Sequence, residues 1–473
     1  MLFNSLQFFL FFIIVYILYL ILKHRWQNRL LIVASCLFYA SWSWKFLGLM
    51  LLSISVDFFC SRYMDRWPDE GRRRALLFLS IFVNLAILGF FKYFNFFAGN
   101  IEALLSYFHV VNPPLTWSLN IILPLGISFY TFEAISYVVD VYRRQVKPAQ
   151  SYWDYLLFVI YFPHLIAGPI MRAKSFLPQI VTPRVLRLDQ FYQGCHLFFW
   201  GLFEKIFIAD NMAKIVNPIF ASPGPYEGSL VLIGLYAFAF QIFCDFDGYS
   251  NMARGLGKCM GFDIAVNFNL PYFSQNPKEF WQRWHITLST WLRDYLYIPL
   301  GGNRYGQVQT YFNIFVTMFL GGLWHGASWT FLWWGLYQAV LLIGHRLWGL
   351  CKSKKQGIPV SRWVTLMKMA VFFHLVLIGW LFFRATSIGQ VGDMARALIT
   401  SFHITHQSGE MLIQVILLIT PLLIVQIGQY RTKDLMFLFN QHWLLKRFIY
   451  ALLIYLVLIF GATDAKEFIY FQF

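Results

Sequence analysis

The sequence predicts an all-α integral membrane protein, a polytopic helical bundle of about 10 to 12 spans with short re-entrant or interfacial helices. Of its 473 residues, 59% are apolar and only 13% are charged, against about 25% in an ordinary soluble domain. Long apolar runs recur without the two-residue alternation of a membrane β-barrel. Because lipid offers the backbone no hydrogen-bond partners, such runs predict helices.

The basic residues predict the orientation of the spans. The net charge of +16 reflects 38 Lys and Arg against 22 Asp and Glu, and in a membrane protein it indicates cytoplasmic loops rather than nucleic-acid binding. The first apolar run, residues 2–22, is followed by Lys23, Arg25 and Arg29, so this loop is assigned to the cytoplasm. Residues 100–120 contain no Lys or Arg and are assigned outside. The alternation predicts that both termini are extracytoplasmic.

The spans divide into three regions of one predicted membrane domain. Regular N-terminal spans occupy residues 1–150, and C-terminal spans occupy residues 351–473. In the region 151–350, apolar runs are interrupted by PHLIAGP, NPIFASPGP and DFDGYS. Broken helices at membrane depth are tolerated where protein covers them or a cavity adjoins them, so we expect the catalytic core in this region.

The sequence lacks the signatures of metal sites and of common soluble enzymes. Its six cysteines form no CxxC pair, and HExxH, GxSxG and P-loop motifs are absent. We therefore predict no metal site, no disulfide framework and no permanently bound cofactor.

The first candidate functional residue is His285, in the segment KEFWQRWHITLSTWLRDYLYIPLGGNR at residues 278–304. Apolar side chains recur there at helical spacing, at Trp281, Trp284, Leu288 and Leu292. The spacing predicts one amphipathic helix with His285 on its apolar face. Either a functional imidazole or a core histidine satisfied by a hydrogen bond fits this pattern.

The second candidate is His325, in GGLWHGASW between the apolar runs 308–320 and 329–343. A 15-residue helix is about 22 Å long, short of the ~30 Å hydrocarbon thickness. We therefore expect a turn inside the membrane around Gly321, Gly322 and Gly326, with His325 buried. Burial favours the neutral imidazole, which can accept a proton from a hydroxyl group. The alternative is that Trp324 and His325 form an interfacial anchor.

Other ionisable residues interrupt apolar segments. Asp245 stands at membrane depth, where carboxylates are usually functional or paired, whereas Asp247 and the glycine after it predict a turn. Glu133 and Asp140 share one helical face, and His164 is predicted in a loop.

Several segments resemble the membrane-bound O-acyltransferase family, and its bacterial alginate O-acetyltransferase branch in particular. They are WHITLSTWLRDYLYIPLGGNR, FLGGLWHGASWTFLWWGLYQ, LPLGISFYTFEAISYVVDVYRR, YFPHLIAGPIMR, QIFCDFDGYSNMARGLG and FIYFQF. The resemblance implies a bacterial inner-membrane enzyme with a central acyl-transfer channel. It also implies that His325 is the catalytic histidine, that His285 is the second active-site polar residue, and that a thioester, acetyl-CoA, is the donor from the cytoplasm.

The same resemblance implies the acceptor side of the reaction. Relatives of this branch pass the acetyl group to a periplasmic or membrane-anchored partner of the SGNH-hydrolase type, so we expect a separate partner of this type and a polysaccharide acceptor. That acceptor is an alginate-like exopolymer or peptidoglycan. We predict that Tyr470 in FIYFQF docks the partner or relays the acyl group; the alternative is an interfacial aromatic anchor.

Two competing functions remain open at this point. One is D-alanyl transfer to teichoic acids from a carrier-protein thioester, within the same superfamily. The other is a transporter. Transporters usually have repeated halves with broken helices in matching positions, and the sequence shows no such repeat.

Overall fold

The computed structural model describes residues 1–109, 119–351, 361–462 and 468–469. Every regular element in these ranges is helical, which confirms the predicted all-α fold. The chain divides into two units. Unit 1 comprises residues 1–191, 256–265 and 326–328, and unit 2 comprises residues 192–255, 266–325 and 329–473.

Unit 1 is built mainly from the first eight helices. They are α1 (Leu6–Ile21), α2 (His24–Ala40), α3 (Trp44–Arg66), α4 (Glu70–Leu88), α5 (Phe94–Tyr107), α6 (Ile127–Tyr142), α7 (Tyr152–Ile160) and α8 (Ala173–Val181). A π-helix, Gly89–Tyr93, joins α4 to α5, and α3 packs against both α4 and α6. The break predicted at PHLIAGP is confirmed, because the chain between α7 and α8 is not helical.

This break in unit 1 is fixed by a buried carboxylate. His164 lies in the loop, as predicted, and its Nε2 atom is 3.3 Å from Oε2 of Glu133 on α6. The other oxygen of Glu133 accepts the Met171 N–H at 2.7 Å. Glu133 and His164 therefore satisfy polar groups of the loop that the apolar interior cannot.

Unit 2 contains the remaining helices. They are α9 (Leu188–Phe203, which begins in unit 1), α10 (Asp210–Ala221), α11 (Gly228–Cys259, which ends in unit 1), α12 (Pro277–Trp281), α13 (Ile286–Leu292), α14 (Gly306–His325), α15 (Trp329–Cys351), α16 (Arg362–Arg384), α17 (Ile388–Thr400), α18 (His406–Thr432) and α19 (Trp443–Phe460). A π-helix, Glu204–Ala209, connects α9 to α10, and a second, Arg293–Tyr297, follows α13.

Six helical segments in the described ranges are long and apolar enough to cross a membrane. They are α3, the continuous Glu70–Tyr107, α11, α16, α18 and α19. Most of α11 is buried within the protein, whereas Leu453 is the one residue of α19 that is buried, as expected of a lipid-facing helix. A multi-pass membrane protein is thus confirmed, and the further spans of the predicted 10 to 12 stay a prediction.

The turn predicted at Asp247 is wrong. Helix α11 continues without a break through Asp245, Asp247 and Gly248. A Cβ atom at Gly248 would lie only 2.7 Å from the carbonyl oxygen of Gly201, so this glycine permits close packing of two helices. Tertiary packing therefore overrides the local turn preference of the Asp-Gly pair.

Candidate active site

His285 lies at a break between two short helices, and the predicted continuous helix is wrong. Helix α12 ends at Trp281 and α13 begins at Ile286. His285 is the N-cap of α13 with φ +41° and ψ +55°, in the left-handed region. For a residue other than glycine this conformation costs roughly 1–3 kcal/mol, and it persists only where the surroundings enforce it.

Asn267 enforces this backbone conformation through its backbone carbonyl group and its buried side chain. The Ile286 N–H donates to the Asn267 carbonyl oxygen at 2.8 Å, and the Thr287 hydroxyl donates to Asn267 Oδ1, also at 2.8 Å. Both bonds hold the residues that directly follow His285. Asn267 is therefore a positioning residue for this histidine.

The imidazole of His285 is fully buried among aromatic rings. Its ring centroid lies 4.6 Å from that of Phe246 and 5.8 Å from that of Trp324. Burial lowers the pKa of His285 to about 3. At neutral pH the ring is thus uncharged, with one nitrogen that donates and one that accepts a hydrogen bond.

His325 is the last residue of α14 and is buried, as predicted. Three aromatic rings surround it, with centroid distances of 5.0 Å to Trp324, 4.9 Å to Trp334 and 5.2 Å to Phe383. Trp324 therefore contacts both candidate histidines, so the two sequence segments converge on one indole ring. Edge contacts of this kind restrict ring orientation and exclude water.

The turn predicted around Gly321, Gly322 and Gly326 is confirmed at Gly326, where the chain leaves α14, but is wrong for the first two glycines. Helix α14 continues through both glycines to His325, and its 20 residues span about 30 Å. A Cβ atom at Gly322 would collide with the Phe331 carbonyl oxygen and lie 3.1 Å from Gly335 Cα. The glycine lets α14 approach α15 closely, and this packing fixes the helix end that carries His325.

Unit 2 contains a polar cavity that the sequence did not predict. Its lining includes Glu204, Asp247, Asn251 and Phe268. Asn251 Nδ2 donates to Glu204 Oε2 at 3.2 Å, and Phe268 stacks on His285 at 6.3 Å. The signal that could have found Glu204 is its place, beside Lys205, in the apolar run LFFWGLFEKIFIA, because ionisable residues in such runs are costly.

Asp245 is paired, one of the two outcomes expected for it. Its Oδ1 atom lies 2.6 Å from Lys205 Nζ, which also pairs with Asp210 Oδ1 at 3.0 Å. Its Oδ2 atom accepts the Ile469 N–H at 2.6 Å. Tyr470, the predicted relay or docking residue, lies outside the described residues.

No cluster of three or more His, Cys, Asp or Glu side chains in the described ranges could hold a metal ion. Among the described residues, no disulfide is formed by the following cysteines: Cys36, Cys60, Cys195, Cys244 and Cys259. The site is therefore built from imidazole, carboxylate, amide and aromatic groups.

Comparisons with known proteins identify the family of this chain. Residues 141–387, which include both histidines, match the membrane-bound O-acyltransferase family. The probable alginate O-acetylase AlgI of Pseudomonas putida is 42% identical over 409 residues, covering 84% of this chain and 80% of the relative. The protein of the same name from Pseudomonas aeruginosa is 43% identical over 403 residues, covering 84% and 75%.

Two further relatives carry different names. The peptidoglycan O-acetyltransferase of Helicobacter pylori is 32% identical over 430 residues, covering 83% of this chain and 80% of the relative. The teichoic acid D-alanyltransferase of Bacillus subtilis is 31% identical over 278 residues, covering 56% and 69%. The predicted acyltransferase activity is thereby confirmed, and the chain belongs to the membrane-bound O-acyltransferase family.

Proposed function

We propose that this chain moves an acetyl group from acetyl-CoA in the cytoplasm across the bacterial inner membrane, for O-acetylation of an exported polysaccharide. The observation that carries the proposal is the convergence of His285 and His325 on Trp324 in a buried, water-excluding setting. The names of the Pseudomonas and Helicobacter relatives support an acetyl group and an alginate-like exopolymer or peptidoglycan as acceptor.

In this proposal His325 is the general base. It takes the proton from the acceptor hydroxyl while that oxygen attacks the thioester carbonyl carbon. The tetrahedral oxyanion then collapses, the C–S bond breaks, and the proton returns from the imidazolium to the sulfur to give the free thiol. A positioned base of this kind contributes typically ~10² to 10⁴ in rate.

His285 is assigned to the developing oxyanion. Its neutral ring retains one N–H, which can donate to the oxygen as negative charge accumulates there. The left-handed backbone held by Asn267 presets the ring direction, so little reorganisation is needed during reaction. The aromatic rings around both histidines protect the thioester from hydrolysis by excluding water.

The donor side is supported by the charge distribution. Gln426 and Gln429 of α18 line the polar cavity. Arg431 lies in the last turn of α18, and Lys433 directly follows the helix. By the positive-inside rule this end is cytoplasmic. A thioester arriving there meets amide side chains that match the amides of a pantetheine arm, and acetyl-CoA serves as substrate rather than as a bound cofactor.

The acceptor side of the proposal requires a separate extracytoplasmic partner of the SGNH-hydrolase type. Both termini lie outside in the proposed orientation, so Tyr470 is available to dock this partner or to relay the acyl group through its phenol. Unchanged polysaccharide acetylation in Tyr470→Phe would end the relay idea and leave the interfacial anchor.

D-alanyl transfer is the second candidate, because the Bacillus subtilis relative bears that name. It requires a cytoplasmic carrier-protein thioester. Vesicles carrying this chain distinguish the two donors: acetyl transfer from acetyl-CoA without any carrier protein supports the first proposal, and strict dependence on the carrier supports the second.

The function is tested by the O-acetyl content of secreted and cell-wall polysaccharides in wild-type, deletion and His325→Ala strains, with equal amounts of protein in the membrane. We expect acetate to be lost from one polymer in both mutants, which also identifies the acceptor. Full acetylation in the His325→Ala strain would contradict the mechanism, and a transporter would be expected to behave in this way.

A further inference from the structure

A buried ionic cluster in unit 2 is formed by Lys205, Asp210 and Asp245. Lys205 lies in the π-helix between α9 and α10, and its ammonium group contacts both carboxylates at 2.6 and 3.0 Å. All three side chains are buried. Desolvated charges are costly unless they are paired, and here Lys205 is paired with two carboxylates.

Asp245 also holds a part of the chain that is distant in sequence. Its Oδ2 atom accepts the Ile469 N–H at 2.6 Å, while its Oδ1 atom faces Lys205. Phe468 and Ile469, here called the distal pair, are only 2% and 3% exposed. The carboxylate therefore joins the distal pair to the ionic cluster through two different oxygens.

The distal pair leads directly to the candidate active site. The Phe468 ring lies 5.4 Å from that of Phe246 and 5.3 Å from that of Tyr249. Phe246 in turn contacts His285 at 4.6 Å, which is the shortest of the ring contacts given above for that histidine. Phe468 thus packs against Phe246, the ring that contacts His285.

We propose that Asp245 is a positioning residue that clamps the distal pair against Phe246 and thereby fixes the ring of His285. A second contact keeps the chain nearby, because the Ala462 N–H donates to the Ile206 carbonyl oxygen at 3.2 Å. Ile206 belongs to the same π-helix as Lys205. The ionic cluster thereby links the segment after α19 to acyl transfer, and only this last step depends on the proposed function.

The clamp itself is tested without measuring activity. Ile469→Cys is introduced into the full chain in membranes, and its alkylation by a permeant maleimide is quantified by mass spectrometry. Exposed Cys195 and buried Cys244 serve as internal references for full and absent labelling. Labelling of position 469 is then compared between the parent, Asp245→Asn and Asp210→Asn.

We expect Asp245→Asn to raise labelling at position 469 by about tenfold or more, since it weakens a hydrogen bond to a charged acceptor. Asp210→Asn is the matched control, because it removes a carboxylate from the same cluster but leaves the acceptor of the Ile469 N–H in place. It should change labelling by less than about twofold. Protection retained in Asp245→Asn, or an equal rise in both variants, would overturn the proposal.

If Asp245→Asn does not accumulate, Ile469→Pro removes the N–H donor and leaves the ionic cluster intact. Because Phe468→Cys itself removes the ring, labelling of position 468 in the double variant Phe468→Cys, Ile469→Pro is compared with labelling in Phe468→Cys alone. Exposure of position 468 supports the clamp, and protection overturns it. Acetyl transfer is measured in parallel in Asp245→Asn, or in Ile469→Pro with Phe468 retained. Either variant should show a lower kcat with an unchanged KM for the donor. His325→Ala should abolish transfer with position 469 still protected, so a failure of the proposed function is distinguishable from a failure of the clamp.

Discussion

The ring of His285 lies 5.8 Å from the ring of Trp324, the residue that directly precedes His325. The two histidines reach this indole from different elements, His285 from the break before α13 and His325 from the end of α14. One aromatic side chain thus sets the relative placement of both imidazoles.

Truncation of this indole is predicted to impair catalysis. Trp324→Ala removes the ring against which both imidazoles pack, and misplaced catalytic groups typically cost about 10²-fold in rate. Trp324→Phe retains an aromatic ring and should keep most of the activity. Acetyl transfer in vesicles, normalised to protein content, measures both. A wild-type rate in Trp324→Ala would show that the shared contact has no catalytic role.

The backbone conformation of His285 is predicted to depend on Asn267. Asn267→Ala removes the atom that accepts the Thr287 hydroxyl hydrogen bond, so the turn relaxes. We expect kcat to fall by about tenfold and the free energy of unfolding to fall by roughly 1–3 kcal/mol. Asn313→Ala is the control, because this equally buried amide donates to Gly302 instead. Its stability should fall while kcat is retained; equal effects on kcat in the two variants would argue against a specific role for Asn267.

The close approach of α14 and α15 gives a prediction about stability. Gly322→Ala places a methyl group against the Phe331 carbonyl oxygen, so the helices must separate, at a cost of typically 1–3 kcal/mol. Gly344→Ala on α15 is the matched control, since its new methyl group meets open space. The melting temperature in detergent should fall in the first variant only. Equal melting temperatures would contradict the packing role of Gly322.

The lowered pKa of His285 gives a prediction about pH. In the unfolded chain the pKa of His285 is ~6.5. In the folded protein burial lowers its pKa to about 3. Between these values the unfolded state holds more protons, so stability is fully present above the unfolded pKa and is lost as pH falls. When the pH is lowered from about 7.5 to about 5.5, the melting temperature of His285→Gln should therefore fall less than that of wild type. Identical losses would contradict the assignment.

The sequence predicted the features that depend on hydropathy alone. The helical class, the burial of His325 and the break around His164 follow from the length and interruption of apolar runs. The break at His285 could not be predicted in this way. The apolar spacing from Trp281 to Leu292 continues across it, and the left-handed residue is held by Asn267, which lies outside that segment.

Contacts between distant segments account for the other differences. Asp247 and Gly248 favour a turn locally, but both lie within the long helix α11, where Gly248 packs against Gly201 of α9. Likewise, no local pattern indicates that Asp245 binds the Ile469 N–H. Such pairings arise only when separate helices pack, so single-segment periodicity does not contain them.

We expect His285 and His325 to act together in acetyl transfer. The most direct measurement is transfer of labelled acetyl groups from acetyl-CoA to polysaccharide by membrane vesicles that carry wild type, His325→Ala, His285→Ala or the double variant. His374→Ala, a histidine of α16 outside this cluster, is the control. Each site variant should lose roughly 10²- to 10⁴-fold in rate, and the double variant should be no slower than the slower single variant. A wild-type rate in His325→Ala would contradict its role as the general base. Losses that multiply in the double variant would contradict joint action of the two histidines.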